Sequence, residues 1–382
     1  MATVTQVYTL VNNVAKMALG QEAISVCDVS SLVALGDTVL SSDKNTDVFM
    51  NTLVDRIGRT VFSVRNYTAS YPDVVKHPFE FGCIVQKIYV DLPESKVNNA
   101  WEIGKNEYVP TYAPVVKPTV KQKLFNGIST WEIDITIPDD ILKTAFTNAT
   151  AMAVMVQAIF TAIDNKMELD LENMVNLTRA SFIARKIKGG KPCGAINLLT
   201  EYNTETNASL TVSSCLRNPD FLKWASMNIS LWLNRMSRMS TLFNEEAYKR
   251  HTPKDDLVFT VLDNFASATS AFLESDTYHN ELVKLPRYNT VPYWQGSGLD
   301  YDFESVSKID VKLNATDETS TSYTGVIAVA YDYEALGVTL NNKRETTERN
   351  NKDEYTNYYK KANMGYFNDM SENGIVFYIA NT

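Results

Sequence analysis

The sequence predicts an α+β protein, and three observations along its 382 residues carry that reading. Between Arg59 and Pro138 the apolar period is close to two. Prolines recur there at 72, 78, 93, 110, 114, 118 and 138, a density that suits edge strands and extended chain rather than a central sheet. From Ala151 the period lengthens to that of a helix, with neither glycine nor proline before Gly189. Beyond "KIKGGKPCG" (186–194), the clearest boundary in the chain, strand-like and helical patterns are mixed.

Taken in order, residues 5–19 carry Val7, Leu10, Val11, Val14, Met17 and Ala18 as one apolar stripe, ended by Gly20. Two readings stand at this helix: it packs on its own domain, or it is an arm that needs a partner surface. "VFMNTLVDRIG" from Val48 is again helical in spacing. "FGCIVQKIYVDLP", "PVVKPTVKQKLF" and "TWEIDITIP" then alternate as strands of a long hairpin. The linking "ESKVNNAWEIGKNEYVPTYAP" is polar with scattered aromatics, as in a projecting loop. Asp139 and Asp140 suit the N-cap of a short helix "DDILKTAF", and "TNAT" (147–150) offers a second cap. The long helix that follows spans about 50 Å at ~1.5 Å per residue. Glu168, Asp170 and Glu172 do not share one of its faces and read as exposed charge. Arg179, Arg185, Lys186 and Lys188 supply the charge sign that suits its C-terminus.

After the glycine boundary, "DFLKWASMNISLWLNRMSRMS" (220–240) is helical, and "DDLVFTVLDNFASATSAFLES" (255–275) mixes both signals. "YHNELVKLP" (278–286) reads as a short helix. "DYDFESVSKIDVKL" (300–313) and "TGVIAVAYDYEALGVTL" (324–340) alternate as strands. The charged "NNKRETTERNNKDE" (341–354) reads as an exposed turn or loop, and "NGIVFYIA" as a last strand.

The formal net charge of −9 excludes a strongly basic nucleic-acid reader, so any contact with nucleic acid is local or weak and non-specific. The start "MATVTQVYTLVNNVAKMALG" lacks the pattern of a signal peptide, and no apolar run approaches a membrane span. Cys27, Cys83, Cys193 and Cys215 form no CxxC pair, so neither a zinc site nor a disulfide framework is expected. His77, His251 and His279 fall in no metal or catalytic spacing. "IKGGKPCG" lacks the glycine spacing and the Ser/Thr of a phosphate loop, and "QGSGL" (295–299) is not a nucleophile elbow. Asp300, Asp302 and Glu304 would share a face of the expected strand, where a solvated surface competes with a divalent-cation site serving a hydrolase or transferase. An enzyme of this length normally leaves an acid/base or metal constellation in view. Its absence favours a structural protein with no catalytic, cofactor or metal residues.

Four strings give the pattern a family likeness: "TLVDRIG" (52–58), "KIYVD" (87–91), "DDILKTAF" (139–146) and "QAIFTAIDN" (157–165). In order and spacing they resemble the major capsid proteins of small Bacillus-infecting podophages of the phi-twenty-nine type. The likeness is strongest from Phe49 to Phe182 and thinner from Pro219 onward. It implies the tailed-phage and herpesvirus major capsid protein fold (HK-ninety-seven-like), shared with encapsulin shells. The parts implied are an N-terminal arm (1–47), a first P-domain segment (48–77), an E-loop hairpin (78–132), the P-domain with its spine helix (133–188), an A-domain (189–335) and returning P-domain strands (336–382).

The resemblance further implies a self-assembling subunit of hexamers and pentamers in an icosahedral shell around double-stranded DNA. Such a shell is assembled in the host bacterial cytoplasm and resident in the virion. A separate scaffolding protein, a portal, and weak non-specific contact with the packaged DNA are expected, with no membrane. Val7, Leu10, Val14, Trp101, Tyr108 and Tyr112 are the candidate contacts between subunits. If "NGIVFYIA" closes the P-domain, no additional C-terminal immunoglobulin-like domain of the podophage type is expected. An encapsulin-type compartment of the same fold is the alternative.

Overall fold

The structure, a computed structural model, describes residues 4–20, 25–40, 73–76, 85–95, 117–126, 128–138, 149–190, 194–276, 288–295, 301–314 and 317–381, with a few positions between 44 and 52. It divides into two compact units. One comprises Met1–Glu80, Ile128–Val175 and Thr339–Gly365; the other comprises Phe81–Gly127, Asn176–Val338 and Tyr366–Thr382.

The first unit opens with α1 (Val4–Leu19) and α2 (Val29–Leu40). Gly20, at φ +97°, ends α1 by donating to the Lys16 carbonyl, a left-handed stop that glycine adopts without strain. Asn12 donates to the Val26 carbonyl (2.8 Å) and accepts from the Val26 N–H (2.5 Å), tying α1 to the segment ahead of α2. Asp28 caps α2 by accepting from the Ser31 N–H at 2.8 Å. Bonds from the Ser31 side chain and backbone and from Ser30 hold the Asp28 carboxyl below its usual range. The sequence reading assigned nothing to α2, because Gly36 and several β-branched residues blur its helical signal; the "DVSS" cap was the sign of it.

A three-stranded sheet, in the order β10 (Leu336–Asn350), β11 (Tyr355–Asn368), β3 (Ile128–Pro138), follows. The antiparallel register places Thr356, Tyr358, Lys360 and Ala362 opposite Ile137, Ile135, Ile133 and Trp131. That set forms the buried or half-buried face. The opposite face is solvated and carries the Lys361–Glu132 ion pair (3.1 Å) with Asn–Thr hydrogen bonds on either side of it. The first part of α3 (Ala149–Gly189) meets this sheet where Lys360 Nζ lies 3.2 Å from Asp164 Oδ1. Residues 341–350 were expected in a loop. They form the outer strand β10, whose charged side chains keep an exposed edge soluble.

The second unit is built on a five-stranded mixed sheet, β4 (Ala195–Asn197), β12 (Gly374–Tyr378), β9 (Val326–Asp332), β5 (Leu257–Leu262), β6 (Asn289–Val291) in spatial order. β12 runs parallel to β4 and antiparallel to β9; β5 is antiparallel to β9 and parallel to β6. The strand expected to close the returning P-domain strands therefore pairs in this sheet instead. "GIVFY" is apolar at consecutive positions, which suits a central strand buried on both faces rather than an alternating outer one.

Helices α4 (Leu198–Thr206), α5 (Pro219–Met236) and α6 (Asp263–Asp276) belong to the same unit, as does the antiparallel pair β7 (Ile309–Val311) and β8 (Thr321–Tyr323). Phe221, Ala225, Ile229, Phe259, Phe265, Ile327 and Phe377 are members of one core. Asn218 caps α5 through bonds from the Asp220 and Phe221 N–H groups, with Pro219 in the first turn, where its missing N–H costs nothing.

The C-terminal part of α3 differs from its expected charged end. Arg179 and Lys186 are fully buried, and Lys186 Nζ donates to the Phe243 carbonyl at 2.7 Å beside the Phe182 ring. Asp170 is likewise buried and takes a 2.6 Å bond from Lys166 one turn earlier. Periodicity treats any charge as outward, whereas long side chains bury their stems and bring the head to a fixed acceptor.

Candidate functional site

Among the described residues, no group of three or more His, Cys, Asp or Glu side chains could hold a metal ion, and no helix is long and apolar enough to cross a membrane. The expected carboxylate face is not a strand. Asp302 is the N-cap of a one-turn helix (Phe303–Val306), Glu304 lies in that turn, and Asp300 is outside the described residues. A helix start turns successive side chains by about 100° rather than 180°, so the two carboxylates cannot line one face. His251 is exposed in its loop; His77 and His279 fall outside the described residues.

What the second unit does present is a hairpin with two unlike faces. β1 (Val85–Val90) pairs antiparallel with β2 (Val120–Phe125), with Val90 opposite Val120, Ile88 opposite Gln122 and Gln86 opposite Leu124. The strand period of two puts these side chains on one face. Ile88 is 61% exposed, Val90 61%, Val120 57% and Leu124 59%, and Leu92 just past β1 is 54% exposed. A cluster of apolar side chains left in water on one short ribbon is the kind of surface that marks an interaction site.

The other face is held by charge. Lys87 Nζ lies 3.2 Å from Asp369 Oδ2 and 3.4 Å from Glu372 Oε1, and also reaches the Glu334 carbonyl. Opposite it in the ladder, Lys123 pairs with Glu246 and lies 3.6 Å from Asp369 Oδ1. Tyr89 donates its hydroxyl to Asp369 and stacks at a tilt with Tyr248, at 5.5 Å between centroids. Arg250 pairs with Glu372 while its guanidinium lies 4.3 Å from the Tyr89 ring centroid. Phe125 meets Phe367 at 5.4 Å.

The acceptors come from the turn between β11 and β12, "NDMSENG", in which Asp369, Ser371, Glu372 and Asn373 are all buried. Burial raises the Asp369 pKa, but bonds from Ser371 and Tyr89 and the charge of Lys87 outweigh it and hold this carboxyl below its ordinary range. Burial and the bond to Asp369 push the Tyr89 phenol upward.

None of these anchoring residues was singled out by the sequence reading, since a polar run between two strands looks like an exposed turn. One signal was present: in "VKQKLF" the residues alternating with Val120, Gln122 and Leu124 are Lys121, Lys123 and Phe125, so a lysine-rich face must face something. Of the residues that were singled out, Trp101, Tyr108 and Tyr112 lie in the connection between β1 and β2, outside the described residues. Val14 is buried with Val11 and Ala15, and Leu10 is half-buried; the side chain of Val7 is outside the described set.

Comparison with known proteins bears on this arrangement. A family model described as the Phi29-like phage major capsid protein matches residues 11–378. The major capsid protein of Bacillus phage PZA is 24% identical over 213 residues, covering 54% of this chain and 46% of that protein. That of Bacillus phage B103 is 22% identical over 218 residues with the same coverages, 54% and 46%. The chain thus spans about half the length of the curated relatives it matches. A chain of the capsid structure of Staphylococcus phage Andhra superposes with a TM-score of 0.50 at 11% identity, covering 83% of this chain and 84% of its own; at that identity it bears on the fold alone.

Proposed function

The chain belongs to the Phi29-like phage major capsid protein family, and from that premise we propose that it is the repeating subunit of a phage shell, joined to further copies through the β1–β2 hairpin. It is a structural protein of the tailed-phage capsid fold and not an enzyme. The observation that carries the proposal is the hairpin itself: an apolar face left in water and a charged face gripped from behind. Burying that apolar face against a second copy gains roughly 25 cal/mol per Å².

In this reading the hairpin is the base of the E-loop, and Trp101, Tyr108 and Tyr112 in its connection are aromatic anchors on the neighbouring copy. Leu10 and Val7 of α1 are candidate contacts, and Val14 joins them if α1 is rearranged in the shell. The segments 1–47, 48–77, 78–132, 133–188 and 189–335 serve as arm, P-domain, E-loop, spine and A-domain; of 336–382, β10 and β11 serve as returning strands while β12 stays with the five-stranded sheet. Hexamers and pentamers close an icosahedral shell through head-to-tail contacts around rotation axes. The shell encloses double-stranded DNA with weak non-specific contact, is built in the host bacterial cytoplasm on a separate scaffolding protein, and carries a portal. The net charge of −9 supports a container that does not grip its polyanionic contents.

Negative-stain electron microscopy of the purified protein, with and without a co-expressed scaffold candidate, tests this. Closed shells, tubes or flat hexamer sheets are expected. The double substitution Ile88→Asp with Leu124→Asp should abolish them while the free chain unfolds as before, because both side chains are already in water. A single small species of the unsubstituted protein under every condition, or unchanged assembly of the double variant, overturns the proposal or its hairpin contact respectively.

A further inference from the structure

The hairpin is attached to its own unit in an unusual manner. Ring contacts at its inner face, among the described residues, are Phe125 on Phe367 and Tyr89 on Tyr248. Other attachments are charge pairs or hydrogen bonds to charged groups: Lys87 to Asp369 and Glu372, Lys123 to Glu246 and Asp369, and Tyr89 to Asp369; Lys121, paired with Asp91 within the hairpin (3.7 Å), lies 4.3 Å from the centroid of the Tyr248 ring. Arg250 completes the set from the 245–250 segment by pairing with Glu372, and Tyr248 bonds Glu246 there. Ser371 braces the centre, its N–H 3.0 Å and its hydroxyl 2.5 Å from Asp369 Oδ1. The cations Lys87, Lys121, Lys123 and Arg250 thus face the anions Asp91, Glu246, Asp369 and Glu372.

We propose that this cluster is an ionic hinge: the buried Asp369–Glu372 turn fixes the angle of the β1–β2 hairpin, and neutralising its carboxylates or the lysines they hold frees the hairpin while the sheet behind stays folded. Two features support a hinge rather than a plain buttress. Lys87 on β1 and Lys123 on β2 both lie near Asp369, so neutralising that one carboxylate weakens the attachment of both strands together. In the described residues the hairpin pairs β1 with β2 alone, and a two-stranded ribbon with nothing behind it is marginal in water, so release opens its amides to exchange without touching the sheet of β9 and β12. Asp369, Glu372, Lys87 and Lys123 act as positioning residues, since none lies on the outward apolar face. The inference goes beyond the shell reading, because the state of the hinge is measurable on the free chain.

Hydrogen–deuterium exchange on the intact chain tests it, comparing peptides from 85–90 and 120–125 with peptides from β9 and β12. Asp369→Asn and the pair Lys87→Gln with Lys123→Gln are the variants. The lysine pair keeps the test open if Asp369→Asn does not fold. The expected result is at least about tenfold faster exchange in the hairpin with unchanged protection in β9 and β12, and recovery when Lys87 and Lys123 are replaced by arginine instead. Unchanged hairpin protection would show that the ladder and the two ring contacts hold it. Equal loss of protection in β9 and β12 would make the cluster part of the core. Either result overturns the hinge.

Discussion

Gly325 and Asp369 illustrate how single residues constrain this chain. Gly325 has φ +79°, its N–H donates to the Ser307 hydroxyl oxygen at 3.0 Å, and its carbonyl accepts from the Ile379 N–H at 2.8 Å. A Cβ there would overlap the Ile379 carbonyl oxygen, so backbone strain and collision add. Gly325→Ala should destabilise the chain by about 3 kcal/mol, read as a fall in the urea midpoint. Asp369 sets a pH dependence whose sign follows from its depressed pKa. Its contribution is present above the ordinary carboxylate range and is lost as pH falls through the lowered value. Tyr89, pushed upward, contributes below the ordinary phenol range and loses that contribution as pH rises beyond it. The contribution of these two groups should therefore be flat between roughly pH 5 and 9 and fall on both sides. In denaturation series across pH, Tyr89→Phe should remove part of the alkaline fall, and an unaltered alkaline limb would refute this assignment.

At the scale of the element, the first part of α3 is tied to the β10–β11–β3 sheet by a charge pair. Lys360 sits on the buried face of β11, 6% exposed, in line with Tyr358 and Ala362. Its ammonium lies 3.2 Å from Asp164 on the helix and 3.5 Å from Glu345 on β10. Asp164→Ala removes the nearer carboxylate from a cation that has already lost its water, and should cost about 2 kcal/mol in thermal or urea unfolding. Lys360→Met in the same chain should recover much of that loss, because the desolvated charge leaves with its partner. Additive losses in the double variant would mean that each side chain acts independently. The same logic explains why β10 tolerates its dense charge: its side chains from 343 to 346 are exposed at a sheet edge, where charge discourages pairing with another strand.

For the whole molecule, the governing quantities are net charge and exposed apolar surface. Copies carrying −9 each repel one another, while the hairpin's Ile88, Val90, Val120 and Leu124 gain by leaving water. Screening shortens from about 30 Å at 0.01 M salt to about 10 Å at 0.1 M. Added monovalent salt should therefore lower the protein concentration at which particles form, as followed by light scattering. If salt raised that concentration instead, charge pairs between copies would outweigh apolar burial. The partly buried hinge pairs are less screened over this range, so assembly and hinge release separate experimentally.

Periodicity and punctuation alone determined the strand-then-long-helix order, the Gly20 stop, the hairpin strands around "KIYVD" and "VKQKL", and the absence of a catalytic motif. Each of these depends on neighbours within a few residues, where a period of 2 or 3.6 or a positive φ leaves its mark. The family likeness of four short strings was legible on the same footing. Tertiary structure decided what distance in sequence conceals. It decided that "GIVFY" joins β9 rather than the outer strands, that Lys186, Arg179 and Asp170 turn inward, that 341–350 is a strand, and that Asp302 caps a helix. Above all it brought Lys87 to Asp369, 282 positions away, because a buried charge is set by its partner and not by its neighbours in sequence.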